Sequence, residues 1–261
     1  MVYGFCQRRR VAFLARDLCS RAQEKKPQLF RLLLSLALSR RRRCVNMADD
    51  NRRVPSNNQA HWDARYANSA DAGLSWSEGP DSLSLKWILE VAPEASSIVD
   101  VGAGRSTLLP TLLTRGYTQL THVDWSESAS LSLQRSLGYR ATRIKWVVDD
   151  LLEWQPGHPI DLWHDRAVFH FQVDLESINS YLESLHRNVR QGGYFLIATF
   201  HLDGPKECSG LPVKRYCENS ILAVLGSYSG VNWIAVRSAI WKHVSPDGIE
   251  QNFQYLLAKR G

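Results

Sequence analysis

The sequence predicts an α/β fold: one open sheet of seven strands, mostly parallel, with helices on both faces. Three observations carry that prediction. Apolar runs of strand length alternate with segments of helical periodicity from Leu85 to Ala258. The stretch Ser97–Trp125, S-I-V-D-V-G-A-G-R-S-T-L-L-P-T-L-L-T-R-G-Y-T-Q-L-T-H-V-D-W, reads as strand, glycine turn, helix, strand. Its second strand ends on an acid about 20 residues beyond the glycines, the spacing at which such units hold a ribose.

Residues 1–46 stand apart from this pattern. They hold twelve Lys and Arg against two acids, Asp17 and Glu24, and end in the run Arg40–Arg43. Such a basic, acid-poor stretch suits a mitochondrial presequence, or equally an upstream extension ahead of a second start at Met47, so the expected location is mitochondrial or cytoplasmic. Four arginines, not a small-residue cleavage site, follow the apolar run Leu29–Leu38, which argues against a secretory signal. That run is also too short to span a membrane. Residues 47–261 carry 20 basic against 24 acidic groups, so the net charge of +6 belongs to the extension and points to no nucleic-acid surface on the domain. Residues 47–60, polar and holding Pro55, read as a linker, and 61–261 as the domain.

The elements follow in order. H-W-D-A-R-Y (His61–Tyr66) starts a helix with Trp62 and Tyr66 at i, i+4, and Leu85, Ile88 and Leu89 mark another after the turn Ser77–Pro80 that follows Trp76. Ile98, Val99 and Val101 suit a strand buried on both faces. Gly102 and Gly104 allow a sharp bend and close approach to a ligand, and Ser106 and Thr107 can cap the next helix. The strand Gln119–Val123 then delivers Asp124. This is a nucleoside-binding βαβ unit. A dinucleotide fingerprint would need a glycine three residues past Gly104, where Thr107 stands; with no second nucleotide-binding half, a nicotinamide oxidoreductase is disfavoured.

Ala129–Leu137 is a helix ended by Gly138. Ile144–Val148 and Ile160–Trp163 are strands, followed by Asp149–Asp150 and by His164–Phe171. Ile178, Tyr181, Leu182 and Leu185 share one helical face, which Gln191–Gly193 should terminate before the buried strand Tyr194–Phe200. His201–Pro212 is too long for a plain connection and suggests a functional loop. A helix over Cys217–Leu225 and strands over Trp233–Ile240 and Phe253–Ala258, around a turn at Pro246–Gly248, complete the chain.

D-V-G-A-G (Asp100–Gly104) resembles the glycine turn of class I S-adenosylmethionine-dependent methyltransferases, whose sheet is Rossmann-like; Ser106 stands where many members carry a third glycine. The resemblance implies that Asp100, Gly102, Ala103 and Gly104 cradle the methionine end of S-adenosylmethionine. A side chain at Gly102 would then stand in the cofactor's path. It further implies that Asp124 and Trp125 lie at the ribose, that Asp149, Asp150 and Leu151 lie at the adenine with either acid available to the amine, and that W-D-x-R-Y (Trp62–Tyr66) covers the site. The stretches D-L-W-H-D-R-A-V-F-H-F and T-F-H-L-D-G-P-K-E-C-S-G-L-P are similar to a group of small bacterial-type members with unassigned acceptors, and the likeness spans about residues 60–258.

Methyl transfer needs a base only if the acceptor arrives protonated. The candidates are His164, His170 and His201, with Asp165 beside them; His170 and the loop His201–Pro212 are expected to form the acceptor side. The acceptor is a small molecule or a protein side chain. Enzymes that methylate base amines carry [N/D]-P-P-[Y/F/W] after the fourth strand, where this chain has H-D-R-A, so nucleic acid is disfavoured. Cys208 and Cys217 form neither a disulfide framework nor a zinc site, and no metal is expected. A non-catalytic binding module that keeps the cofactor pocket is the alternative.

Overall fold

A computed structural model describes residues 58–67, 81–228, 230–245 and 248–261. The extension 1–46, the linker as far as residue 57, Trp76 with the turn Ser77–Pro80, and Pro246 and Asp247 of the final turn lie outside the described residues.

Helices α1 (Gln59–Ala67) and α2 (Leu83–Val91) precede β1 (Ser97–Val101). Then come α3 (Leu108–Thr114), β2 (Gln119–Asp124), α4 (Glu127–Leu137), β3 (Ile144–Val148), β4 (Ile160–Arg166) and α5 (Leu175–Asn188). The last part holds β5 (Val189–Phe200), β6 (Glu207–Cys208), β7 (Leu211–Pro212), α6 (Glu218–Leu225), β8 (Trp233–Val244) and β9 (Glu250–Arg260). Seven strands form one sheet in the order β3-β2-β1-β4-β5-β9-β8. The first five pair in parallel, and β9 runs antiparallel between β5 and β8. The chain leaves β1 toward β2 and β3 and then returns to β4 on its other side. That reversal opens a crevice at the carboxyl ends of β1 and β4, where open sheets of this kind bind ligands.

Period-2 alternation sends neighbouring strand residues to different faces of the sheet, and each face is covered by helices. Ile98, Leu120 and Leu196 pack with Leu85, Ile88, Leu109 and Leu112 under α2 and α3. Val99, Trp163 and Ile197 pack with Ile178, Tyr181, Leu182 and Leu185 under α5, whose i, i+3, i+4, i+7 spacing places all four on one side. Ser82, Ser126 and Asp174 cap α2, α4 and α5 by accepting from Leu85, Ala129 and Ser177 amides.

Two boundaries differ from expectation. Gln191–Gly193 do not stop α5. The helix ends at Asn188, and β5 starts at Val189 and runs through the two glycines, with a register shift between Ile160 and Leu162 on the facing strand. A Cβ at Gly193 would lie 2.9 Å from the Arg190 carbonyl oxygen and 3.0 Å from that of Asp161, so the glycine serves a close strand approach rather than a helix stop. Strand β4 continues three residues past Trp163, carrying His164 and Asp165 into the sheet, where each finds buried partners. Residues 201–212 are not a bare loop: β6 and β7 form a small hairpin turning at Ser209 and Gly210, both at positive φ.

Candidate active site

The glycine turn is built by its neighbours. Gly102 and Gly104 sit at φ 55° and 53°, and Ala103 N donates to the Val123 carbonyl at 3.2 Å. Below the turn, His122 Nε2 lies 2.9 Å from the Gly104 carbonyl, so this nitrogen carries the proton and donates. Asp124, at the end of β2, uses both carboxylate oxygens on backbone: Oδ2 accepts from Gly104 N at 2.8 Å and Oδ1 from Ser126 N at 2.7 Å. Burial pushes its pKa up, against the opposing pull of His122 and the two amides. A Cβ at Gly102, which lines the cavity, would also collide with Val168 Cγ2 at 2.2 Å, so a side chain there must displace the facing turn of the protein.

Helix α1 closes over this turn. Arg105 Nη2 donates to the Tyr66 carbonyl at 2.7 Å while its guanidinium lies 5.5 Å from the Tyr66 ring centre. Ser126 Oγ donates to Asp63 Oδ1 at 2.7 Å, and Gln59 Nε2 donates to the Trp125 carbonyl at 3.0 Å. Gly104 has no room for a side chain because its Cβ would lie 2.1 Å from the Tyr66 hydroxyl.

Between α1, the glycine turn and the segment after β4 lies a cavity of ≈ 360 Å³, within the usual range for small-molecule sites. Six of the residues expected at the cofactor line it: Gly102, Asp124, Trp125, Asp149, Asp150 and Leu151. Asp150 is half-buried, which raises its pKa, and its Oδ1 accepts from Leu152 N; Asp149 is exposed and accepts from Asp150 N. Both acids therefore stand on the cavity wall. Asp100, Ala103 and Gly104 sit behind the wall instead of on it. Asp100 Oδ1 is 2.6 Å from His164 Nδ1, and its buried Oδ2 has no hydrogen-bond partner among the described residues.

The three residues proposed from sequence as catalytic do not reach the cavity wall. His164 is clamped between Asp100 and Ser84 Oγ, the latter 2.9 Å from Nε2. Asp165 is fully buried and accepts from Val168 N, Phe169 N and the Tyr181 hydroxyl. His170 packs between Phe171 and Phe200, and burial holds its pKa down at about 3, so the ring stays neutral. His201 is tied to its own loop, accepting from Asp203 N, and also lies off the wall. The positions of His164 and Asp165 follow from strand alternation, which turns these two neighbours on β4 to opposite, covered faces of the sheet. The Trp62–Tyr66 stretch and the loop His201–Pro212, through Cys208, reach the cavity as the sequence leads one to expect, whereas Arg166, Val168 and Phe171, also on its wall, are not singled out by sequence. Only their place in the segment H-D-R-A-V-F-H-F hinted at them.

Comparison with known proteins agrees with this geometry. Residues 98–193 match the sequence model of a family described as a methyltransferase domain. Human EEF1A lysine methyltransferase 2 is 27% identical over 174 residues, which is 56% of this chain and 70% of that protein. Among solved structures, Burkholderia thailandensis 1,6-didemethyltoxoflavin-N1-methyltransferase, bound to its acceptor and S-adenosylhomocysteine, superposes with a TM-score of 0.59 at 19% identity. It covers 77% of this chain and 86% of its own. The glycopeptide N-methyltransferase MtfA complexed with S-adenosylmethionine superposes with a TM-score of 0.53 at 12% identity, over 73% of this chain and 98% of that one.

Fold, domain match and cavity define the class: the chain carries a class I S-adenosylmethionine-dependent methyltransferase domain, and S-adenosylmethionine is its cofactor. The residues present fit that cofactor. Gly102, an oriented carboxylate at Asp124 and the acids Asp149 and Asp150 line one side of the cavity, the donor set a nucleoside calls for.

Proposed function

We propose that the chain transfers a methyl group to a lysine side chain of a protein. The observation that carries this reading is the part of the cavity away from the glycine turn: the aromatic rings of Trp62 and Phe171 meet edge to face at 5.2 Å there, and the carboxylate of Asp174 stands on the same wall. A carboxylate gathers an ammonium, and aromatic walls accept both the cation and its alkyl stem. The likeness to EEF1A lysine methyltransferase 2 supports a protein acceptor. So does the rim, where Val173 and Leu175 on either side of Asp174 are exposed apolar side chains.

When bound, S-adenosylmethionine supplies a methyl group already activated on a sulfonium. The protein's own part is placement. Asp124 and the glycine turn hold the nucleoside side, while Trp62 and Phe171 exclude water and line up the amine. Desolvation between those rings favours the neutral amine, so its proton is left to solvent and none of the buried histidines is required. The test is to incubate the full chain with methyl-labelled cofactor and a cell lysate, then hydrolyse the protein fraction. Labelled N-methyllysine is the expected product. Label confined to small molecules would overturn the lysine assignment in favour of a small acceptor, and no transfer at all would favour a binding module.

A further inference from the structure

The turn between β4 and α5 supplies one wall of the cavity through Arg166, Ala167, Val168 and Phe171. Its backbone is held in an unfavourable shape. Ala167 has φ 66°, a region that residues with a side chain rarely adopt, while its N–H donates to the Ala198 carbonyl at 2.9 Å. Val168 presses toward Gly102. Beneath the turn lies Asp165, whose Oδ1 accepts from Val168 N at 3.0 Å and whose Oδ2 accepts from Phe169 N at 3.0 Å and from the Tyr181 hydroxyl at 2.5 Å. Tyr181 in turn accepts from Trp163 Nε1 at 3.1 Å.

We infer that Asp165 is a positioning residue for cofactor binding: its carboxylate, braced by Tyr181, holds the 166–171 turn as a wall of the cavity. The carboxylate touches no part of the cavity and works through Val168 and Phe169. It does so best when ionised, because a charged acceptor can serve all three donors and a protonated one serves fewer. Burial raises its pKa to about 6, partly offset by Tyr181, the two amides and His164. Its ladder neighbours on β1 and β5, Val101 and Ile197, are apolar, so Tyr181 is the titratable group in contact with it, and His164, the preceding residue, acts on it from the opposite face of the sheet.

Tyr181→Phe separates this role from general stability, since it keeps the ring and removes only the phenol donor. In the full chain, the amide resonances of Val168 and Phe169 and the affinity for S-adenosylhomocysteine would be followed from pH 5 to 8. In the wild type, both should change with a shared midpoint near 6. In Tyr181→Phe, both midpoints should move up by about one unit, the scale of one lost hydrogen bond to a charged group. Asp124 also titrates high, but Tyr181 is not among the groups acting on it, so a shifted midpoint reports Asp165. An affinity midpoint that stays in place while the amides move would overturn the inference, as would amides that do not titrate. Asp165→Asn gives an independent check: its affinity at pH 8 should fall to the wild-type value at pH 5, and full wild-type affinity would overturn the inference.

Discussion

On one face of β4, His164 joins Asp100 and Ser84; on the other, Asp165 joins Tyr181, Val168 and Phe169. Both clusters are buried, both centre on a carboxylate, and they arise from adjacent residues. Their outcomes differ because their partners differ. The first cluster ties β1, β4 and α2 to one another through side chains that belong to the scaffold. The second spends two of its hydrogen bonds on the backbone of a cavity-forming turn. A buried polar cluster thus steadies the fold in one case and shapes the site in the other, according to whether its partners are elements or a loop.

Asp165→Ala should produce the largest effect and break the comparison most sharply. It leaves three buried donors without an acceptor, each at a cost of about 1–3 kcal/mol. The melting temperature should fall by roughly 2–4 °C for each kcal/mol lost, and affinity for S-adenosylhomocysteine should fall with it. A stable variant with unchanged affinity would put Asp165 in the same structural class as His164.

Asp124→Ala comes next and acts on binding. Removing charge-assisted hydrogen bonds worth ~1.5–3 kcal/mol should weaken cofactor affinity roughly 10- to 100-fold by calorimetry. Unchanged affinity in a folded variant would remove Asp124 from the nucleoside side.

Acid sharpens the contrast further. Burial holds His170 at about 3 and His186 at about 4, both below the ordinary 6.5, so both take up protons on unfolding. Their contribution is complete above 6.5 and is lost as pH falls toward those values. Asp165 has the opposite sign: raised from 3.8 to about 6, it favours the folded state at low pH and loses that contribution as pH rises through 6. The melting temperature should therefore drop between pH 6.5 and 4, and drop more steeply in Asp165→Asn. A slope that is unaltered in this variant would contradict the raised pKa.

Ser84→Ala is the smallest change. It removes one hydrogen bond to His164, worth about 1 kcal/mol, and should lower the melting temperature by a few degrees. Cofactor affinity should stay within about twofold; a larger loss would mean that the His164 cluster also reaches the site, through Asp100 Oδ2, which has no partner among the described residues.

Much of the architecture was legible in order. Strand β3 ran over the expected Ile144–Val148, and β1, β2 and α4 began or ended within a residue or two of their predicted limits, because apolar runs and terminal glycines are local signals. The glycine turn and Asp124 were legible for the same reason: positive φ demands glycine, and the strand length places the acid. Helix α1 was visible as an aromatic segment, though nothing local announced that Arg105 and Ser126 would latch it in place.

What the sequence by itself determined was therefore the layered α/β fold and the glycine turn with its acid at the crevice, since both rest on periodicity and on residues with special backbone freedom. Tertiary structure alone decided the direction of each polar residue after β4. The partner of His164 lies 64 residues away on the adjacent strand β1, and that of Asp165 lies 16 away on α5, the two meeting β4 on different faces of the sheet. One residue of strand register exchanges those faces. A histidine and an aspartate that look alike as candidate catalysts therefore became a scaffold clamp and the brace of a cavity wall.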